Sequence, residues 1–233
     1  MNDITQLKRY GKNLEMTPKT LLLKINWLFI KGVVREIGLW ASLRIIPSVL
    51  FYTQLLTYKK GKGVVIGQKE FSKDDAKKMT ILFSLLHVLT QKYGKNKAYD
   101  LVKKLTQDSS AIIMCYVYQV KELSKFSDPY KAFCEFHKAM FHQDHRYQVR
   151  RFVEEEHCLT MIVNRCANCQ VAQAFQKPEL ATLGCDSDLV SYPIVMDQIG
   201  GEFVREKTLA KGGAFCEFKF YRKGHAPKSY KNV

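Results

Sequence analysis

Residues 203–221 read FVREKTLAKGGAFCEFKFY, and this stretch decides the fold class. Over residues 214–221 Cys216, Phe218 and Phe220 alternate with Phe215, Glu217, Lys219 and Tyr221. A period of two is a β-strand with one apolar face. Lys211-Gly212-Gly213 supplies a turn and residues 203–209 a preceding strand, so an antiparallel hairpin is expected here. Upstream, residues 149–155 and 158–164 are β-rich and flank the charged run Glu154-Glu155-Glu156, which predicts a second hairpin. Between the two hairpins fall a helical piece over 168–176 and a helix opened by Pro178-Glu179 and reaching about Tyr192.

Further towards the N-terminus the texture is helical. Thr17-Pro18 reads as a cap with proline in the first turn, followed by an apolar segment to about Tyr58 that should break near Gly38 or Pro47. Lys59-Lys60-Gly61-Lys62-Gly63 reads as a solvated basic turn. Ser72 caps a helix whose Met79, Leu82, Phe83, Leu86 and Leu89 mark one buried face, and Gly94 ends it. Shorter helices are predicted over 97–106 and 110–125, and Asp128-Pro129 opens one reaching about His142. Segregated helices and strands predict an α+β fold, with a helical N-terminal half packed on a small antiparallel sheet with inserted helices. One domain over 1–233 is expected, mainly helical over 1–145 and α+β over 146–222, the latter carrying the Cys/Asp motif.

Composition limits the function classes. The 233 residues are 46% hydrophobic and 12% aromatic, which excludes a disordered chain. Thirty-seven basic against 22 acidic residues leave +15, a charge that suits an anionic partner without naming one. No helix-turn-helix, zinc-finger or RNA-binding signature accompanies it, so no nucleic-acid partner is expected. The first 15 residues are polar and carry no signal-peptide pattern, and a cytoplasmic, reduced protein follows. The apolar region 21–58 is interrupted by Lys24, Lys31, Arg35, Glu36 and Arg44, and only 45–58 is free of charge, so no transmembrane segment is expected. A basic amphipathic helix in peripheral contact with a membrane or a partner stays open, as does a homo-oligomer.

Seven cysteines are present, and the last four fall after residue 165: Cys166 and Cys169 as Cys-x-x-Cys, Cys185 and Cys216. In a reduced protein such clusters point to metal or catalysis. Zinc is the metal that Cys166, Cys169, Cys185 and Cys216 together would take, although the second half is not another Cys-x-x-Cys. The alternative is acid–base or nucleophilic chemistry. Cys185 and Asp188 stand three apart on a predicted helix and share a face, and Arg205 and Lys207 could supply the positive field that activates a thiol. The plain alternative is that Cys185 and Cys216 pack as small apolar groups. Cys115 and Cys134 are expected in the core and His87 as one polar group on a buried helix. His137, His142 and His145 lack the i, i+4 spacing of a metal pair.

The order Ala174-Phe175, Pro178-Glu179-Leu180, Cys185-x-x-Asp188, Phe203-x-Arg205-x-x-Thr208, Gly212 and Cys216-x-Phe218 resembles the L-2-amino-thiazoline-4-carboxylic acid hydrolase family. More distantly, the terminal hairpin resembles that of 4-vinyl-reductase-type ligand-binding domains, which would imply a cavity between sheet and helices. The first resemblance implies a hydrolase that opens a C–N/C–S bond of a small carboxylate-bearing heterocycle such as 2-amino-thiazoline-4-carboxylate. The second implies a non-catalytic ligand or metal sensor. On the hydrolase reading, Cys185 is the nucleophile or a metal ligand, Asp188 the general base or orienter, and Cys216 the second thiol. Arg205 is matched to the carboxylate of a small anionic substrate, Thr208 is a hydrogen-bond donor, and Glu179 is a substrate contact or merely a helix cap. Cys169 lies outside the family pattern. All of this requires the sulfurs of Cys185 and Cys216 to meet beside Asp188 and Arg205 around a hollow.

Overall fold

The alternation at 214–221 becomes strand β6 (Cys216–Arg222), which pairs antiparallel with β5 (Gly201–Lys207). The second hairpin is β3 (Tyr147–Glu155) and β4 (Cys158–Cys166), and β4 docks along β6, so the sheet order is β3-β4-β6-β5 with every pair antiparallel. The computed structural model describes residues 3–8, 19–59, 65–66, 69–70, 73–144 and 146–229, without the side chains of 19, 22 and 57–79. Its helices are α1 (Lys19–Ile37), α2 (Leu39–Lys59), α3 (Lys73–Tyr93), α4 (Lys95–Val117), α5 (Val120–Leu123), α6 (Pro129–Gln143), α7 (Ala167–Ala174) and α8 (Glu179–Gln198). Two short strands, β1 (Val65–Ile66) and β2 (Lys69–Glu70), join α2 to α3. The chain is α+β, as its pattern predicts.

Two apolar cores hold these elements. In the first, Leu159, Met161 and Val163 of β4 and Cys216, Phe218 and Phe220 of β6 form a sheet face packed with Phe133, Phe136 and Met140 of α6 and Tyr192, Val195 and Met196 of α8. In the second, α1 to α4 surround Ala167, Val171, Leu180 and Leu183 of α7 and α8. The two cores do not divide the chain by sequence. Helices α4 and α8 each contribute to both cores, α4 through Leu101 and Leu105 to one and Met114 and Val117 to the other. They thereby tie the helical and sheet-bearing regions together.

Several boundaries differ from expectation for physical reasons. The apolar N-terminal segment breaks at Gly38, whose φ of 82° suits glycine, and not at Pro47, which sits inside α2. Ile45, Val49 and Thr53 form a buried stripe that carries α2 through the proline. The helices predicted over 97–106 and 110–125 are one continuous α4, because Ser109 and Ser110 donate back to the carbonyls of Leu105 and Gln107 and so cap nothing. The break comes at Gln119, in the left-handed region with φ 47°. Helix α8 runs past Tyr192 and through Pro193 to Gln198, because Val195 and Met196 bury in the sheet-side core. The expected cap at Thr17-Pro18, the basic turn at 60–63, Ser72 and His145 lie outside the described residues.

Candidate functional site

The site is built where α8 crosses the sheet face. On α8, Cys185, Asp188 and Tyr192 recur at steps of three and four, so one stripe points at the sheet. Facing them are Met161, Val163 and Cys166 of β4 and Cys216 and Phe218 of β6, with Phe141, Tyr147 and Asn168 closing the sides. Together they line a cavity of about 40 Å³. Each water needs roughly 10–15 Å³ on such a measure, so the hollow holds a few waters as it stands. Asn168 reaches its place because residue 184 is glycine: a Cβ there would stand 2.5 Å from the Asn168 Nδ2.

The loop after β5 joins the two sulfurs. The Thr208 hydroxyl donates to Cys185 Sγ at 3.3 Å, and Cys216 Sγ donates to the same hydroxyl at 3.6 Å. The sulfurs therefore cannot lie further apart than the sum of these two contacts. The Leu209 N–H also points at Cys216 Sγ, at 3.3 Å. A register shift between Arg205 and Lys207 separates their environments: Arg205 is fully buried, whereas Lys207 is exposed and lies over the Phe215 ring.

Arg205 is the most deeply buried Lys, Arg, Asp or Glu among the described residues. Its Nη1 donates to the Cys185 carbonyl and reaches Asp188 Oδ2 at 3.3 Å. Asp188 keeps 27% of its side-chain exposure. Burial nonetheless lifts its carboxyl to about 7, with Arg205 opposing the rise and Asp186 adding to it. The thiols go the same way. Burial and the Asp188 charge push Cys185 up to about 12, with the Thr208 hydrogen bond working against them, and burial raises Cys216. Cys166 is raised well above the usual thiol range by its hydrogen bond with Cys169 and by burial. At neutral pH the cavity therefore presents protonated thiols and one carboxyl poised between its two forms.

Cys185, Asp188, Arg205, Thr208 and Cys216 come together as the sequence motif requires, and Cys166 joins them in the cavity wall. Arg205 serves Asp188 and the α8 backbone and is not one of the side chains lining the hollow. Glu179 lies elsewhere. It opens α8 two turns before Cys185 and lines a separate cleft with His87, Lys95, Tyr99 and Lys177. The four-cysteine zinc set does not form, because no group of three or more His, Cys, Asp or Glu side chains among the described residues could hold a metal ion. Thr208 accounts for this: its hydroxyl stands between Cys185 and Cys216, each of which spends its hydrogen bond on it.

Sequence reasoning missed Tyr192 and the polar cluster behind it. Tyr192 is the next step of the Cys185–Asp188 stripe, so helical spacing alone reaches it. Its hydroxyl lies 3.4 Å from that of Tyr118, which hydrogen-bonds His137 Nδ1 at 2.5 Å. His137 is completely buried, and burial depresses its imidazole to about 3, so it is neutral. No spacing signal marks it, because Tyr118 and His137 meet only through tertiary packing.

Among solved structures, an Fe(II) unliganded H-NOX protein variant from K. algicida resembles the chain at a TM-score of 0.42 and 14% identity, covering 86% of this chain and 96% of that one. No curated protein matches. The family model for L-2-amino-thiazoline-4-carboxylic acid hydrolase matches residues 75–220, from the third helix to the last strand and well over half of the chain. The match extends the terminal pattern of Cys185, Asp188, Arg205, Thr208 and Cys216 back through α3 to α6, and the chain belongs to the L-2-amino-thiazoline-4-carboxylic acid hydrolase family.

Proposed function

We propose that the protein hydrolyses a C–N/C–S bond in a small heterocycle of the 2-amino-thiazoline-4-carboxylate type, with Asp188 as its acid–base group. The observation that carries this reading is the Asp188 carboxyl, lifted to about 7 at the wall of a water-sized cavity. A base tuned near the working pH is what proton transfer from water requires. On this reading Asp188 takes a proton from a cavity water as its oxygen adds to the ring carbon between nitrogen and sulfur. Asp188 hands that proton to the ring nitrogen, which has taken up the electron pair of the former C=N bond. The remaining hydroxyl proton then passes by way of Asp188 to the departing sulfur as the carbon–sulfur bond breaks and the carbonyl forms. The ring opens to an N-carbamoyl-cysteine type product.

The other groups take supporting roles. Arg205 holds Asp188 from behind and keeps its charged form accessible in a buried place. Cys185 and Cys216, kept as neutral thiols by burial and positioned by Thr208, shape the cavity beside the attacked carbon. No lysine or arginine lines the hollow, so the ring is best seated with its basic amidine end towards Asp188 and its carboxylate towards the mouth. The ring exceeds the present cavity, and substrate entry must widen it.

That small volume favours a second reading, a non-catalytic module that binds a small guest. Incubating the purified protein with 2-amino-thiazoline-4-carboxylate separates the two. Mass spectrometry should detect the carbamoyl product with the wild type and almost none with Asp188→Asn. A ligand-induced rise in melting temperature without product would support the binding module and remove the hydrolase.

A further inference from the structure

We infer that the outer face of the α1–α2 hairpin docks on an anionic membrane surface. Helix α2 is apolar on two sides. Its inner stripe of Ser42, Ile45, Val49 and Thr53 is buried. Its outer stripe runs through Trp40, Leu43, Ile46, Leu50 and Phe51 at helical steps, and all five are exposed. Helix α1 adds Leu23, Trp27 and Ile30, also exposed and also at steps of four and three. A soluble surface helix carries polar residues on its outward side, and this hairpin carries tryptophan, leucine, isoleucine and phenylalanine. Patches of this kind mark an interaction site.

Charge identifies what covers the face. Residues 19–59 hold six Lys or Arg and a single acidic residue, Glu36. Glu36 is already paired with Arg35 and with Lys104 of α4. Lys24, Lys31 and Arg44 stand exposed among the outer apolar residues. Cations interleaved with tryptophan and aliphatic side chains on one surface match a bilayer interface, with rings in the headgroup layer and ammonium and guanidinium groups on anionic lipids. Behind the stripe, Phe29, Val33, Ile45, Val49, Ile81 and Leu85 line an apolar groove of about 160 Å³, a seat for an acyl chain.

By length and composition alone α2 could cross a membrane: over Leu39–Leu56 its mean hydropathy is 1.3 and 22% is buried. Its inner stripe is committed to the same core as α3 and α4, and a spanning helix would have to abandon it. The face therefore lies on the surface.

The chain's two tryptophans, Trp27 and Trp40, are both on this face, 64% and 79% exposed, so intrinsic fluorescence reports on it alone. Full-length protein is titrated with vesicles of phosphatidylcholine and of phosphatidylcholine with phosphatidylglycerol. The expected result is a blue-shifted emission and sedimentation with the anionic vesicles at least tenfold stronger than with neutral ones, weakened by added salt. Leu43→Glu with Leu50→Glu, and separately Lys31→Glu with Arg44→Glu, should each cut binding at least tenfold with unchanged far-ultraviolet circular dichroism. These sites are exposed, so the fold does not depend on them. No shift and no sedimentation with anionic vesicles would overturn the inference. So would undiminished binding by both variants, or emission already blue-shifted in a vesicle-free dimer, which would assign the face to a second copy. Bound protein that resists alkaline carbonate extraction would overturn it in favour of a spanning helix.

Discussion

The two ends of this molecule treat apolar surface in opposite ways. Around the sheet, α6 and α8 close over the inner faces of β4 and β6 until Phe133, Phe136, Leu159 and Phe220 are sealed from solvent. A small cavity lined by Asp188 is left between them. In the α1–α2 hairpin, side chains of similar size stay outside: Leu39, Leu50 and Phe51 are each more than half exposed. The contrast teaches that hydrophobic composition does not say what a surface is for. The enclosed region spends its apolar residues on raising the pKa of one carboxyl. The open region leaves them exposed to solvent.

The largest effect should come from the enclosed region. Removing the base with Asp188→Asn is expected to lower kcat/KM for ring opening by about 10²–10⁴-fold, the usual contribution of a positioned general base. Steady-state assays on folded protein check it, and a loss below tenfold would take the carboxyl out of the mechanism.

Packing should separate the two regions next. Phe133→Ala, in the sealed core, should cost about 3–5 kcal/mol in urea unfolding. Leu50→Ser, on the open face, should change stability by no more than about 0.5 kcal/mol without a membrane. Comparable costs at the two positions would mean that the open face is covered in solution.

His137 gives the contrast a pH dependence. Its native imidazole titrates at about 3, below the ordinary 6.5, so the folded state prefers the neutral ring. The resulting stability is fully present above pH 6.5 and is lost as the pH falls through 3. Thermal melts between pH 7 and pH 4 should therefore show a steep decline that His137→Gln flattens. A wild-type melting temperature that stays level over this range would show that the imidazole protonates in place.

The smallest catalytic effect is expected at the thiol beside the base. Because Cys185 is held as a neutral thiol with its pKa near 12, Cys185→Ser should reduce turnover by less than about tenfold if water is the nucleophile. A loss as large as that of Asp188→Asn would instead make the sulfur the attacking atom, with Asp188 as its base.

Much of this architecture can be read without coordinates. The alternation around Phe218 and the paired glycines at 212 and 213 state the hairpin, and the three-residue spacing of Cys185 and Asp188 puts both on the site's helix face. Thr208 was recognisable as a donor only through the family pattern. What could not be read depends on tertiary contacts. Arg205 looks like a carboxylate clamp in one dimension, but the turn of α8 above it supplies a carbonyl and Asp188 before any substrate arrives. Cys166, Cys169, Cys185 and Cys216 look like a zinc set until Thr208 is found between two of them. Pro47 reads as one of two places for a helix break and the helix after Pro178 as ending about Tyr192, but buried stripes on α2 and α8 carry both helices through their prolines.

The pH dependence of kcat/KM for ring opening tests the central claim most directly, because in the free enzyme it reports the essential base. The account predicts an ascending limb with its midpoint near pH 7, since Asp188 must lose its proton to act and burial sets that loss at about 7. A limb centred near 4, where an ordinary exposed aspartate titrates, or a rate that is flat from pH 5 to 8, would contradict it.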